Sequence, residues 1–348
     1  MKRFLSVIVL YFVSLYTSSG CTTFLINKNG QLIFGRNYDW ITGTGIICTN
    51  LQGLQKTSMK TEDGNTISWV SRYGSITFNQ YGKEFPTGGM NEKGLVVELM
   101  WLDGTKYPKP DARPSVGVLQ WIQYQLDCSG TIDEVLATDK ILRITTNGTP
   151  LHYLLADANG KAATIEFLHG KMVVHQGKDL PFPVLTNNSY DESVQLTKTG
   201  GGQSFRDNSI DRFAKACSMV NQFQLQNITM PAVDYAFSIL DKVSQGDWTK
   251  WSIVYDITSK KIHFKSLGFS NIKTVAFAPF DFSCSSRAKM FDINQLVRGN
   301  ISGSFKDFSV GQNKPLLETA IRESSSQVSI SEATKEAILN YSRGIKCK

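Results

Sequence analysis

A cysteine at position 21, directly after a stretch ending Ser18-Ser19-Gly20, places a thiol where chain cleavage would expose it. Cutting between Gly20 and Cys21 would leave the thiol and a free α-amine on one residue, so nucleophile and base arrive in contact. An α-amine titrates at about 7.7–8.0 in reference peptides, close enough to neutrality to take a proton and return it to a leaving amine. Such a centre needs no side-chain histidine. Arg36 and Asp39, fifteen and eighteen residues on, have the charges to serve it. A guanidinium beside the sulfur favours thiolate, and a carboxylate beside the α-amine orients it.

A hairpin must bring these groups together. Residues 22–27 are rich in β-branched and aromatic side chains, Lys28-Asn29-Gly30 supplies a turn containing Asn-Gly, and residues 31–34 are apolar enough to return. The return brings Arg36 and Asp39 back towards Cys21; the bland alternative for Gly35-Arg36-Asn37-Tyr38-Asp39 is a polar turn leaving the strand.

The segment before the cysteine has the form of a secretory leader. Lys2-Arg3 precede an apolar run over residues 4–16 and the small-residue exit, and the run is too short for a convincing membrane anchor. The expectation is a protein exported by a bacterial Sec-type signal to the periplasm or beyond, with no stable membrane insertion after cleavage. Two other chemistries compete: a ligand-binding lipoprotein lipidated at Cys21, and a thiol peptidase using an internal Cys128 or Cys217 with one of His152, His169, His175 and His263. Ser18 stands where a lipoprotein leader wants an aliphatic residue, and neither internal cysteine has a recognisable local signature.

Together the motifs resemble the choloylglycine hydrolase family, which holds bile salt hydrolases and penicillin V acylases. They are Cys21-Thr22, Gly35-Arg36-Asn37-x-Asp39-Trp40, Asn91-Glu92-Lys93-Gly94-Leu95 and Leu185-Thr186-Asn187, in that order, within residues 21–267. The resemblance implies an α+β fold, a four-layer αββα sandwich with antiparallel sheets, each covered outside by helices. It implies hydrolysis of linear amides through an acyl-enzyme on Cys21. Asn187 and a backbone N–H at Trp101 would bind the oxyanion, and Arg212, in Ser209-Ile210-Asp211-Arg212-Phe213, would be a second active-site arginine. An acyltransferase built on the same intermediate is a further alternative. At Trp101 bile salt hydrolases resembling this chain carry asparagine and penicillin V acylases an aromatic residue. This favours a flat or narrow apolar acyl group over a steroid.

Composition agrees with a globular enzyme. The 348 residues are 41% hydrophobic and 19% charged, and loss of Lys2 and Arg3 would lower the formal charge from +7 to +5. No basic stripe with interleaved aromatics is present, so nucleic acid is not an expected partner; the partner is a small N-acyl amide, and association into homo-oligomers is left open. Six cysteines lack Cys-x-x-Cys or metal-type spacing, so neither a metal nor another cofactor is expected. The domain reading is a leader over 1–20 and one catalytic domain over 21–348, with an extension from about 282.

Further elements follow from pattern. Strands are expected around Gly74 within 67–81, over 95–102 and as a meander over 150–156, 161–167 and 171–176. Residues 87–94 read as turn, 103–114 as loop, and 251–257 with 261–267 as a strand pair. Helices are expected over 116–126, after a Thr131-x-x-Glu134 capping box, from Ser209, over 231–243, and from a Ser329-x-x-Glu332 cap to Tyr341. Gly200-Gly201-Gly202 reads as a flexible loop, and Ser324-Ser325-Ser326 as a mobile link. Glycosylation sequons fall at Asn147, Asn187, Asn227, Asn300 and Asn340; use of the one at Asn187 would destroy the proposed site.

Overall fold

The computed structural model describes residues 20–200 and 208–348; the leader and most of the Gly200-Gly201-Gly202 loop lie outside them. The Cys21 hairpin forms with Asn29 and Gly30 both at positive φ, 52° and 78°, the primed-turn geometry that Asn-Gly favours. Its strands, Thr22–Lys28 and Gln31–Asp39, pair with Thr23 opposite Arg36 and Phe24 opposite Gly35. The second strand runs on through Asp39, so Gly35 to Asp39 is buried strand and not the polar turn that is the alternative reading of its composition. The flanking strand Thr249–Asp256 pairs along it and satisfies its other edge. A Cβ at Gly35 would enter the Phe24 ring, so glycine here permits close packing.

This hairpin lies inside a seven-stranded sheet that continues through Lys261–Ser266, Phe269–Ala276 and a short Gly299–Asn300 edge; Val184–Leu185 pairs on its other side. A nine-stranded sheet packs against it. At its centre Val96–Trp101 lies between Leu151–Ala156 and Gly88–Asn91. The expected meander closes one side, with strands Ala162–Leu168 and Lys171–Gln176.

Period-2 alternation determines which core each residue serves. Val96, Met100, Leu154 and Ala156 join the core between the sheets, whereas Val97, Leu99, Tyr153 and Leu155 face a second core beneath helices. That second core is covered by α1, Val118–Cys128, and α2, Ile132–Ala137, whose Thr131 cap accepts from the Glu134 N–H as expected. The seven-stranded sheet is covered by α3, Tyr190–Thr199, α4, Asn208–Leu225, and α5, Ala232–Lys242. Each large apolar side chain so buried contributes about 1.5–3 kcal/mol. The layers are α, β, β, α, with antiparallel pairing throughout the site-bearing strands.

Three expectations fail, the first two for tertiary reasons. Gly88 and Gly89 lie in a strand, not a turn, because a side chain at Gly88 would occupy the space of the Glu98 carboxylate on the next strand. Ser324 is wholly buried at the end of α6, Val310–Glu323, where its hydroxyl accepts from Tyr81, so Ser324-Ser325-Ser326 is packed rather than a loose link. The cap of α7, Glu332–Tyr341, is Ser331 and not Ser329. Of the cysteines, Cys284 and Cys347 form a disulfide, while Cys21, Cys48, Cys128 and Cys217 are free.

Candidate active site

Hairpin register assembles the first part of the site. Residues 21, 23 and 36 project to the same face of the seven-stranded sheet, towards the nine-stranded one, because Thr23 pairs with Arg36 and side chains alternate. Cys21 is 5% exposed. Its thiol lies 4.0 Å from Arg36 Nη2 and 3.8 Å from the Asp39 carbonyl, to which it donates. Asn37 faces the other way: it donates to Leu240 C=O at 2.7 Å and accepts from Ser252, holding α5 on the sheet.

Arg36 spans the gap between the sheets. Its guanidinium donates to the carbonyls of Thr87 and Leu99, each at 3.0 Å, and ion-pairs with Glu98, which also accepts from Tyr255. Arginine and glutamate are both fully buried. Glu98 is a site residue that the sequence reading missed. Its signal was one carboxylate in the apolar run LVVELMW, a charge that burial permits only with a partner.

Asp39, at the end of the same strand, accepts from Thr249 Oγ1 at 2.5 Å and from Gln245 Nε2 at 3.0 Å. Gln245 Nε2 also donates to the Gly20 carbonyl at 2.6 Å. Thr249 and Gln245 were likewise not expected; they come from a segment more than two hundred residues away, and nothing local marks them.

Asn187 and Arg212 complete the cluster. Val184–Leu185 pairs with the Cys21 strand, Leu185 opposite Thr23, and so delivers Asn187 two residues later. Asn187 Nδ2 donates to the Trp101 carbonyl at 2.8 Å, its Oδ1 accepts from Arg212 Nη2 at 3.0 Å, and its N–H donates to Ser209 Oγ. Arg212, on the first turns of α4, also donates to the Cys21 carbonyl at 2.6 Å and to Thr22 Oγ1 at 2.7 Å. All six expected site residues therefore converge, from five separate stretches of chain. Gly20 is still peptide-bonded to Cys21, and a side chain at position 20 would run into Asn187 and Arg212.

The electrostatics of this linked form differ from the simple expectation for the thiol. Burial pushes the Cys21 thiol up; Arg36 pulls it down and the Asp39 carboxylate opposes Arg36, with a net rise. Burial also raises Asp39, against the lowering effects of Arg212, Thr249 and Gln245. Arg36 thus acts in the expected sense without overcoming desolvation.

Beside Cys21 opens a pocket of about 140 Å³. Its walls include Tyr38, Trp40, Tyr81, Phe85, Leu99, Trp101, Val118 and Leu119, with Asp39 and Asn187 at the thiol. The Trp40 and Trp101 rings lie 6.1 Å apart, and the Trp101 indole donates to Asp103.

Three of the four histidines are engaged elsewhere. His152 lies between Glu166 at 3.1 Å and the Thr186 carbonyl at 2.7 Å, bracing the loop before Asn187. His175 contacts Thr164 and Asp191, and His263 contacts Thr274. Among the described residues no group of histidine, cysteine and carboxylate side chains is arranged to hold a metal ion. Burial raises both internal thiols proposed as rivals, Cys128 to about 12 and Cys217 well above its ordinary value.

Known proteins share this fold. The family model for linear amide C–N hydrolases of the choloylglycine hydrolase family matches residues 21–213. A penicillin V acylase of Pectobacterium atrosepticum is 28% identical, over 83% of this chain and 90% of that protein. The structure of penicillin V acylase from Agrobacterium tumefaciens superposes with a TM-score of 0.72 at 27% identity, over 83% of this chain and 98% of that one. A single-residue variant of conjugated bile acid hydrolase from Clostridium perfringens has the same fold, with a TM-score of 0.67 at 17% identity, over 80% of this chain and 99% of that one. With more than half its length matched by that model, the chain belongs to the choloylglycine hydrolase family of linear amide C–N hydrolases.

Proposed function

We propose that removal of residues 1–20 turns Cys21 into an N-terminal nucleophile that hydrolyses N-acyl amides with an apolar acyl part, penicillin V among them. The carrying observation is the position of the Cys21 sulfur: at an apolar pocket, 4.0 Å from Arg36, beside the hydrogen-bonded pair Asn187 and Arg212. The freed α-amine takes the thiol proton, and the thiolate attacks the acyl carbon. The C–N bond then breaks as the amine returns the proton to the leaving nitrogen, and water cleaves the thioester to release the acid. Asp39 holds the α-amine, and Arg36 favours thiolate.

Asn187 and Trp101 supply the oxyanion donors. A carboxamide carries two N–H groups; one meets the Trp101 carbonyl and the second serves the oxyanion. The N–H and C=O of one strand residue project to the same side, so the Trp101 N–H leaves towards Asn187 as well. Arg212 fixes the carboxamide through its oxygen. The paired indoles of Trp40 and Trp101 favour flat or narrow acyl groups, an effect of about 0.5–1.5 kcal/mol. Export is part of this proposal: the Cys284–Cys347 disulfide supports an oxidising compartment.

Two measurements test it. The intact mass of exported protein is expected to begin at Cys21 without lipid. The mature protein is expected to turn over penicillin V and long-chain N-acyl amides, with Cys21→Ala at background, a loss on the order of 10⁶-fold. Full activity in a chain that retains residues before Cys21 would refute the mechanism. Strong turnover of glycine- or taurine-conjugated bile acids alone would refute the acyl preference.

A further inference from the structure

The pocket beside Cys21 is not closed by the family-matched residues alone. Val328 and Ile330, on the segment joining α6 to α7, and Ile338 on α7 lie in its wall, well beyond the matched residues 21–213.

This wall is anchored at both ends. At the near end, Trp40 Nε1 donates to Tyr81 OH at 3.0 Å, Tyr81 donates to the buried Ser324 at 2.9 Å, and Ser324 donates to the Ala320 carbonyl at 2.7 Å. Glu323 accepts from Thr42 and Thr44, just downstream of Asp39. At the far end, Lys346–Cys347 pairs with the strand Leu54–Thr57, and Cys347 is bonded to Cys284. Between these anchors Val328 and Ile330 are half-buried: both line the pocket, and Ile330 also packs on the cluster of Tyr81, Phe85, Leu317 and Ile338, which holds it in place. A wall held this firmly resists displacement by a bulky acyl group, and its branched side chains set the width available.

From this we infer that the α6–α7 hairpin is a specificity element: Val328 and Ile330 bound the acyl-binding pocket and select narrow or flat acyl groups over broad ones. The inference rests on the reading of Cys21 as the acyl-accepting nucleophile.

The test uses mature protein and three p-nitroanilides that differ only in the acyl group: acetyl, phenoxyacetyl and the broad adamantane-1-carbonyl. Val328→Ala with Ile330→Ala is expected to raise the adamantanecarbonyl-to-phenoxyacetyl ratio of kcat/KM roughly tenfold, the scale of a change in pocket methylenes. Ile330→Trp narrows the pocket and is expected to lower the phenoxyacetyl-to-acetyl ratio by at least that factor. Alkylation of Cys21 by iodoacetamide, followed by mass, monitors the nucleophile independently. Ratios unchanged in both variants while Cys21 alkylates normally would overturn the specificity role and leave the nucleophile standing. Undiminished turnover in Cys21→Ala would overturn the nucleophile reading, and this inference with it.

Discussion

Among the described residues, two clusters pair buried arginine or lysine with buried carboxylates, and the first of them borders the pocket. Arg36 and Glu98 join the two sheets beside Cys21. Lys56, Glu84 and Asp127 form the other, with Lys83 also paired to Glu84, where the strand Leu54–Thr57 meets the end of α1. Burial alone would push Lys56 down, but Asp127 and Glu84 outweigh it and hold the ammonium charged. Burial likewise opposes ionisation of Glu84, yet Lys56 and Lys83 pull it down to about 2. By burial, the second cluster is as strong a candidate for chemistry as the first. None of its charged residues lines the pocket, and burial pushes the two free thiols near it, Cys48 and Cys128, up to about 12, so shifted ionisation marks packed charge networks as readily as reactive ones.

Substitutions that neutralise one carboxylate in each cluster test the distinction. Both Glu98→Gln and Glu84→Gln strand a buried cation, and each is expected to cost about 3–5 kcal/mol of stability in a denaturant titration. Only Glu98→Gln should also change the pH dependence of Cys21 alkylation, because Arg36 then acts on the sulfur without its counter-charge. Equal kinetic effects from both variants would erase the contrast.

The next effect is smaller and depends on pH. Glu84 has its folded pKa depressed to about 2 from an ordinary 4.5, so its contribution is present above about 4.5 and lost as pH falls towards 2. That contribution is on the order of 3 kcal/mol, measurable as a fall in stability across this window that Glu84→Gln lacks.

Asp39→Asn probes the pocket side with the smallest expected shift. An anion beside the α-amine raises its pKa, and the amine must be neutral to act as base. Removing the anion should therefore move the acid limb of the kcat/KM profile to lower pH, by about one unit. An unchanged profile would remove Asp39 from contact with the amine.

The Cys21 side of this contrast is legible in the sequence because its signals are local. Cys21 directly follows a leader-like segment, Asn29-Gly30 dictates a tight turn, and the alternation in residues 150–176 specifies adjacent antiparallel strands. Arg36 and Asp39 needed only that turn to return to the thiol. Resemblance carried Asn187, Trp101 and Arg212, whose spacing along the chain encodes no contact.

Other features depend on partners distant in sequence. Glycines 88 and 89 read as turn because glycine usually does, and become strand because the Glu98 carboxylate requires the missing side chain. Gln245 and Thr249 carry no motif and gain meaning only when Thr249–Asp256 pairs with the Asp39 strand. The three serines at 324–326 have the composition of a linker, but Tyr81 buries the first of them.

Turn chemistry and period-2 patterning act between neighbours, so the residue string alone was enough to place Cys21, its hairpin and the two charges Arg36 and Asp39. The net rise of the thiol pKa, the Arg36–Glu98 bridge and the C-terminal wall of the pocket arise from desolvation and from contacts across hundreds of residues. Those depend on which surfaces meet, and that is settled only when the two sheets close on each other.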